Sequence, residues 1–213
     1  MSPRNRPLVK TKLSNETLIQ ERHLQIVECA TPLFLKNGFH STTTRDIAAS
    51  LGWNIGTLYL YITSKEDVLY LISDSIMREL FDGLRDLPHV DDPVETLIAA
   101  SRHLFYTVDR LHSKVRLIYR ESASMKPEQI RAMKENETER RDYFSRIIRD
   151  GESKGVFQRV DEKLLAYDIL VLSHMWALKG WALAAEMTID DYFARQMAII
   201  LGALGCDHEK LLG

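Results

Sequence analysis

The side chains best equipped for recognition chemistry stand close together, between Asn54 and Lys65. Asn54, Ile55, Gly56 and Thr57 come first, followed by Tyr59, Tyr61 and Lys65. None of them sets a nucleophile beside a base, and the chain carries no GxSxG, P-loop, GxGxxG or HExxH pattern. No Glu is followed three residues later by His, so the di-iron bundle pattern is absent as well. What the group offers is hydrogen bonding to a polyanion and to base edges. The two phenolic hydroxyls suit phosphate oxygens. Lys65 adds a cation at a helix start, beside amides that already favour anions, and Gly56 lets backbone come close to a phosphate or a base. Each residue also has a plainer reading: Tyr59 and Tyr61 as core aromatics, Ile55 as packing, Gly56 as relief of crowding, Lys65 as a helix-start cation.

The elements that would position these residues are helices. From Glu16, apolar residues recur at helical spacing through Ile19, Ile26, Val27, Ala30 and Phe34, and Asn37-Gly38 ends the run with a glycine suited to the left-handed cap position. Thr43 and Asp46 have capping-box spacing for a second helix, which carries Ile47, Ala48 and Leu51 inward and stops at Gly52. Trp53 is the turn. Asn54 is a good N-cap for a third helix predicted over Ile55 to Ile62, with Leu58 in the core. Ser64 and Asp67 read as a second capping box, opening a long helix that continues to Leu87. Helix, short glycine-containing turn, helix is helix-turn-helix geometry. The second member of such a pair lies in the major groove with its N-terminal residues at base edges.

At this point the sequence resembles a known family. Ile26-Val27-Glu28-Cys29-Ala30, Leu33-Phe34, Gly38-Phe39, Thr42-Thr43, Asp46-Ile47-Ala48 and Leu51-Gly52 resemble the TetR-type (TetR/AcrR) transcriptional regulators. So do Gly56-Thr57-Leu58-Tyr59, Tyr61-Ile62, Ser64-Lys65-Glu66 and Leu69. The resemblance is continuous over residues 20–72; beyond it only length and helix count agree. It departs at Trp53-Asn54, where the family usually shows Val-Ser. Asn caps as Ser does, while the bulkier Trp53 either packs against the first helix or changes the base contacts. The resemblance implies that Thr44 and Arg45 meet DNA backbone or a base and that Ile55, Gly56 and Thr57 face bases. It also implies that Tyr59, Tyr61 and Lys65 clamp phosphates and that Leu60 touches a thymine methyl. Otherwise Thr44 is a helix-start residue and Arg45 a solvated charge.

After Pro88 the pattern predicts five more helices, near Pro93–Leu111, Lys114–Ser124, Pro127–Lys154, Glu162–Ala185 and Ile189–Leu204. The fold expected is all-α with about nine helices. It divides into a basic arm (1–15), a three-helix DNA-binding domain (16–65) and a helical regulatory and dimerisation domain (66–213). One recognition helix reads few base pairs, so a homodimer is required. The last two helices are the candidate surface, through Ala177, Gly180, Trp181, Phe193, Met197 and Ile200, unless both are merely core. A ligand pocket within the regulatory domain would draw on Phe105, Tyr119, Glu121, Met125, Tyr143, Phe144, Met175 and Trp176, with ordinary core as the alternative. Between Arg102 and Arg120 lie five bases, two histidines and one acid. That island is a solvated face, a contact with Glu16, Glu21 or Glu28 of the first helix, or a seat for an anionic ligand group. Aromatic and Met residues near such an island suggest a small apolar effector with an anionic end. Among family members a fatty acyl-CoA is the choice, with an aromatic or terpenoid acid or a drug-like cation as alternatives. The long helix from Lys65 to Leu87 is the natural lever.

Composition is consistent with this and excludes other classes. The chain has 213 residues, 45% hydrophobic and 27% charged, with net charge −2 and mean hydropathy −0.20. Residues 1–65 carry eight bases against four acids, and residues 66–213 carry 20 bases against 26 acids. A basic head on an acidic body suits a polyanionic partner. Leu164 to Ala185 is long enough for a membrane span, but Asp168 and Lys179 fall inside it, which is costly in lipid; no membrane partner is expected. The N-terminus is basic without a following apolar run, so no signal peptide is expected. Cys29 and Cys206 make neither a disulfide framework nor a metal site, which fits a reducing cytoplasm. No metal or cofactor is called for, and the reading is non-enzymatic. The rival of a different class is a helical adaptor that does not bind DNA.

Overall fold

The computed structural model describes residues 8–88 and 90–206. Among them are nine α-helices and no strand: α1 (Glu16–Asn37), α2 (Thr44–Ser50), α3 (Ile55–Leu58), α4 (Lys65–Arg85), α5 (Pro93–Arg110), α6 (His112–Glu121), α7 (Pro127–Ser153), α8 (Glu162–Leu183) and α9 (Ile189–Ala203). A single 3₁₀ turn at Ser122–Ser124 follows α6. The all-α expectation holds.

Local signals explain most boundaries. The Asn15 side chain accepts the Leu18 N–H at the start of α1, and the Gly38 N–H closes its end onto Phe34 O. Gly38 has φ +84°, a conformation L side chains rarely adopt. α2 opens on the expected Thr43–Asp46 capping box, and α9 opens on another, Thr188–Asp191. α3 is shorter than its pattern predicts. After Leu58 the chain tightens, with Leu60 N–H bonding Thr57 O at 3.1 Å and Tyr61 N–H bonding Leu58 O at 3.0 Å. The tightening turns Leu58, Tyr61 and Ile62 inward together. The expected second capping box forms only by half. Asp67 accepts the Ser64 N–H at 3.2 Å, but the Ser64 hydroxyl is buried with no hydrogen-bond partner among the described residues.

The chain folds as two compact units. The first takes residues up to Met77 together with 116–134, so it extends past the helix-turn-helix segment. Here α1 packs on α2 and α2 on α3. Its core is Phe34, Phe39, Ile47, Leu58, Ile62 and Leu69, with the two phenyl rings edge to face at 5.1 Å. Of the expected arm, residues 1–7 lie outside the description. From Leu8 on, Val9 is buried and the Lys12 N–H bonds Leu60 O at 3.0 Å, directly after α3. The second unit comprises residues 78–115 and those from 135 on. There α5 packs on α8 and α9, and α8 on α9. Phe105 meets Phe193 edge to face at 5.5 Å and Trp176 stacks near Tyr192 at 5.2 Å. Burial pushes the Tyr192 hydroxyl up to about 12, and that hydroxyl donates to Leu172 O at 2.7 Å.

Candidate nucleic-acid interface

Two caps define the helix-turn-helix. Asp46 Oδ2 accepts the Thr43 N–H at 2.8 Å and the Thr43 hydroxyl at 2.7 Å, while Thr43 Oγ1 takes the Asp46 N–H at 3.2 Å. The hydroxyl bond first, then the backbone bond, hold the Asp46 carboxyl below its ordinary value. Trp53 N–H returns to Ala48 O at 2.9 Å, which closes α2 and turns the chain. Asn54 Oδ1 then takes the Thr57 N–H at 2.8 Å and opens α3. A Cβ on Gly56 would stand 3.2 Å from that same oxygen, so a side chain here crowds the cap.

These caps leave one continuous outward face. Arg45, Asn54, Ile55, Gly56 and Tyr59 are exposed, and Thr44, Thr57 and Leu60 half-buried. The hydroxyls of Thr44 and Tyr59 lie 3.0 Å apart and tie the start of α2 to the end of α3. Leu58 is in the core as expected. Of the two roles open to Trp53, the structure shows packing against the first helix: the Arg22 guanidinium lies 5.3 Å over its ring.

Two expected phosphate-facing residues are placed otherwise. Tyr61 is only 6% exposed, its ring 5.7 Å from that of Trp53, and its carbonyl accepts the His23 Nε2–H at 2.9 Å. The tightened turn after α3 rotates it inward. Lys65 Nζ donates to three carbonyls, Phe39 O and His40 O at 2.9 Å and Thr42 O at 3.2 Å, and stands 4.6 Å over the Phe39 ring.

Behind this face lies a polar network of which the sequence signals only the Ser64–Asp67 cap. Asp67 is fully buried. Its carboxylate accepts the Thr63 N–H at 2.8 Å, the Thr63 hydroxyl at 2.6 Å, Lys126 Nζ at 2.6 Å and Gln129 Nε2 at 2.8 Å. Burial works to raise its pKa, but the hydrogen bonds from Lys126 and Thr63 and the Lys126 charge outweigh it and hold it below the ordinary value. Nearby, His40 Nε2 lies 3.3 Å from Glu121, which also takes Arg120 Nε at 2.6 Å. The start of α4 and the turn after α1 are thus both bonded to the segment 116–134 of the same unit. The partners are about sixty or more residues apart, beyond the reach of helical periodicity.

The candidate pocket residues divide. Tyr119, Glu121 and Met125 belong to the first unit, and Phe105, Tyr143, Phe144, Met175 and Trp176 to the second. Phe105 and Phe144 are fully buried, Tyr119 is exposed, and Trp176 Nε1 donates to Asp109 at 2.7 Å. Two bases of the island are paired, Arg110 with Glu79 at 2.5 Å and Arg120 with Glu121, and Arg102 lies 4.6 Å over Phe193. An open groove of about 590 Å³ lies on the first unit, bordered by Arg22, Cys29, Leu33, Ser50 and Trp53, and none of the candidate pocket residues lines it. For the expected dimer surface, Ala177, Phe193, Met197 and Ile200 are buried within the second unit, where α8 and α9 pack on α5 and on each other. Gly180 is half-buried. Trp181 is 75% exposed, and Leu164, Val171 and Ile199 join it as open apolar residues of α8 and α9. No helix among the described residues is long and apolar enough to cross a membrane.

Residues 26–70 match the family model described as "Bacterial regulatory proteins, tetR family", and residues 90–181 match "Tetracyclin repressor-like, C-terminal domain". The HTH-type transcriptional regulator HbdR of Aromatoleum sp. (strain CIB) is 29% identical over 91% of this chain and 85% of its own length. The HTH-type transcriptional repressor KstR2 of Rhodococcus jostii (strain RHA1) is 26% identical over 88% and 93%. Among solved structures, AibR in complex with isovaleryl coenzyme A and operator DNA has the same fold, with TM-score 0.67 and 23% identity over 84% of this chain and 97% of that one.

Proposed function

The chain belongs to the tetR family of bacterial regulatory proteins, a DNA-binding transcriptional regulator and not an enzyme, and on that premise we propose that it is a cytoplasmic repressor released from its operator by a small ligand. It would bind a palindromic duplex as a homodimer. The observation that carries this reading is the outward face of α2 and α3. There Arg45, Ile55, Gly56 and Tyr59 are open while the N-caps of α2 and α3 are satisfied. Thr44 and Tyr59 would serve phosphates as a linked pair, Arg45 a phosphate or a base, and Ile55, Gly56, Thr57 and Leu60 base edges and thymine methyls. Repression is supported by the name that KstR2 carries.

The test is binding to a duplex library selected with the wild-type protein. Half-sites should lie about one or two helical turns apart, one turn being about 34 Å. Arg45→Ala and Tyr59→Phe should weaken binding, and Thr57→Ala or Ile55→Ala should change preference among sequences by about 1–3 kcal/mol at the affected base pair. A protein that enriches no duplex and shows no salt-dependent binding is the helical adaptor instead.

For the effector, the reading is an acyl thioester of coenzyme A. Its support is the isovaleryl coenzyme A carried by AibR, a protein of the same fold, and the apolar, aromatic body of the second unit. The internal pairing of Arg110 and Arg120 leaves less free positive charge than the sequence pattern implied. Acyl thioesters of several chain lengths, aromatic and terpenoid acids and a drug-like cation are to be added separately to the protein–operator complex. Release by the thioesters supports this class, and release only by another class replaces it.

A further inference from the structure

Lys65 opens α4, and its ammonium reaches into the turn that joins α1 to α2. An ammonium has three N–H donors, and three carbonyl oxygens, of Phe39, His40 and Thr42, lie 2.9, 2.9 and 3.2 Å from Nζ. The ring of Phe39, itself buried, lies beneath the same charge at 4.6 Å. These carbonyls belong to a turn held otherwise by bonds within itself and to the end of α1, and by the His40 side chain 3.3 Å from Glu121. Thr42 N–H and Thr42 Oγ1 both return to Gly38 O, at 3.2 and 2.8 Å. The next residue, Thr43, is the N-cap of α2, and Thr44 follows as its first helical residue. Lys65 therefore binds the backbone immediately before the element that presents Thr44 and Arg45.

We infer that Lys65 is a positioning residue for DNA recognition, a cationic cap that fixes the α1–α2 turn and hence the angle of α2, and that it does not clamp a phosphate. The inference rests on the DNA-binding reading for its consequence, and on the free protein for its geometry. Charge near the DNA is conserved either way; what differs is where the donors are used. A guanidinium binds phosphate at least as well as an ammonium, but its planar fork cannot converge on three carbonyls as a compact ammonium does. Lys65→Arg therefore separates the two roles.

The experiment uses the full chain and the duplex selected with the wild-type protein. Affinity is followed against salt for the wild type, Lys65→Arg and Lys65→Met, and amide hydrogen exchange over residues 38–46 is followed without DNA. The expected result for Lys65→Arg is an affinity loss on the order of tenfold, the scale of one lost charged hydrogen bond. Its salt slope should match the wild type, and exchange in the turn should speed up in both variants. An arginine variant that binds as the wild type does, or turn amides that exchange at the wild-type rate in both variants, overturns the inference. Should the variants fold poorly, the wild type decides: in its DNA complex, a scalar coupling between Lys65 ¹⁵Nζ and a phosphate ³¹P marks a clamp, and its absence with an unshifted Nζ resonance supports the cap. If no duplex is enriched at all, the DNA reading fails, while the exchange measurement still reports on the turn.

Discussion

His174 lies on α8 with Arg140 of α7 close enough to act on it. Burial first, and the Arg140 charge second, push its imidazole down to about 3 from an ordinary 6.5. Above pH 6.5 the ring is neutral in folded and unfolded chains alike and contributes nothing. As pH falls below 6.5 the unfolded chain takes up a proton that the folded one refuses, so stability declines until the folded group titrates near 3. Denaturant unfolding at pH 7 and pH 5 should show up to about 2 kcal/mol more loss for the wild type than for His174→Gln. Equal losses would mean that the ring titrates normally. Asp67 has the same sign at lower pH. Its lowered carboxyl contributes stability above the ordinary 3.8 that is lost as pH drops through the folded value. Asp67→Asn strands Lys126 beside a neutral amide in a buried site. It should cost about 3 kcal/mol in an unfolding titration, within the range for breaking one side of a buried pair. At this scale the sequence marked Asp67 only as a cap residue, since Lys126 and Gln129 reach it from about sixty positions away.

Among elements, α4 and α5 meet at a place that their patterns do not announce. Gly83 sits inside α4, where glycine is unfavourable by roughly 0.5–1 kcal/mol against alanine. A Cβ there would fall 2.0 Å from the His103 ring, whose Nε2 lies 3.1 Å from Leu80 O. Gly83→Ala, favourable on propensity alone, should instead destabilise by about 1–3 kcal/mol, the range for overpacking; a raised Tm would show that the ring yields freely. The periodicity of α8 and α9 made both helices apolar, and it could not tell which apolar stripe faces inward. The structure turns Phe193, Met197 and Ile200 to the core and leaves Leu164, Val171, Trp181 and Ile199 open. On the proposed dimer, Val171→Arg with Trp181→Glu should give soluble monomers by sedimentation. Phe193→Ala should cost about 3–5 kcal/mol of fold stability, as for other buried aromatics. A dimer that survives the surface pair pairs through another face.

For the whole molecule, release from DNA by a ligand is an equilibrium between states, and turning 1:99 into 99:1 needs roughly 5.5 kcal/mol of preference. The boundary between the two units falls within α4, near the start of α6 and within α7, so the chain itself crosses between them along helices. If the proposed effector works through them, hydrogen exchange with and without an acyl thioester should change in α4 and α7 as well as at the ligand; changes confined to the second unit would count against release by this route. The sequence by itself determined the all-α class, the helix order, the caps at Thr43 and Asn54, the burial of Leu58 and the family. These are local: a cap is read over four residues, a helix face over a few turns, and a family motif from fixed residue types at fixed spacing. Only the tertiary structure decided that Tyr61 turns inward onto Trp53, that the three donors of Lys65 go to backbone carbonyls, that Asp67 is gripped by Lys126 and Gln129, and that Phe193 is core while Trp181 is surface. Each of those outcomes depends on which distant group fills the space opposite a side chain. The packing of helices settles that competition, and the spacing of residues along one helix leaves it open.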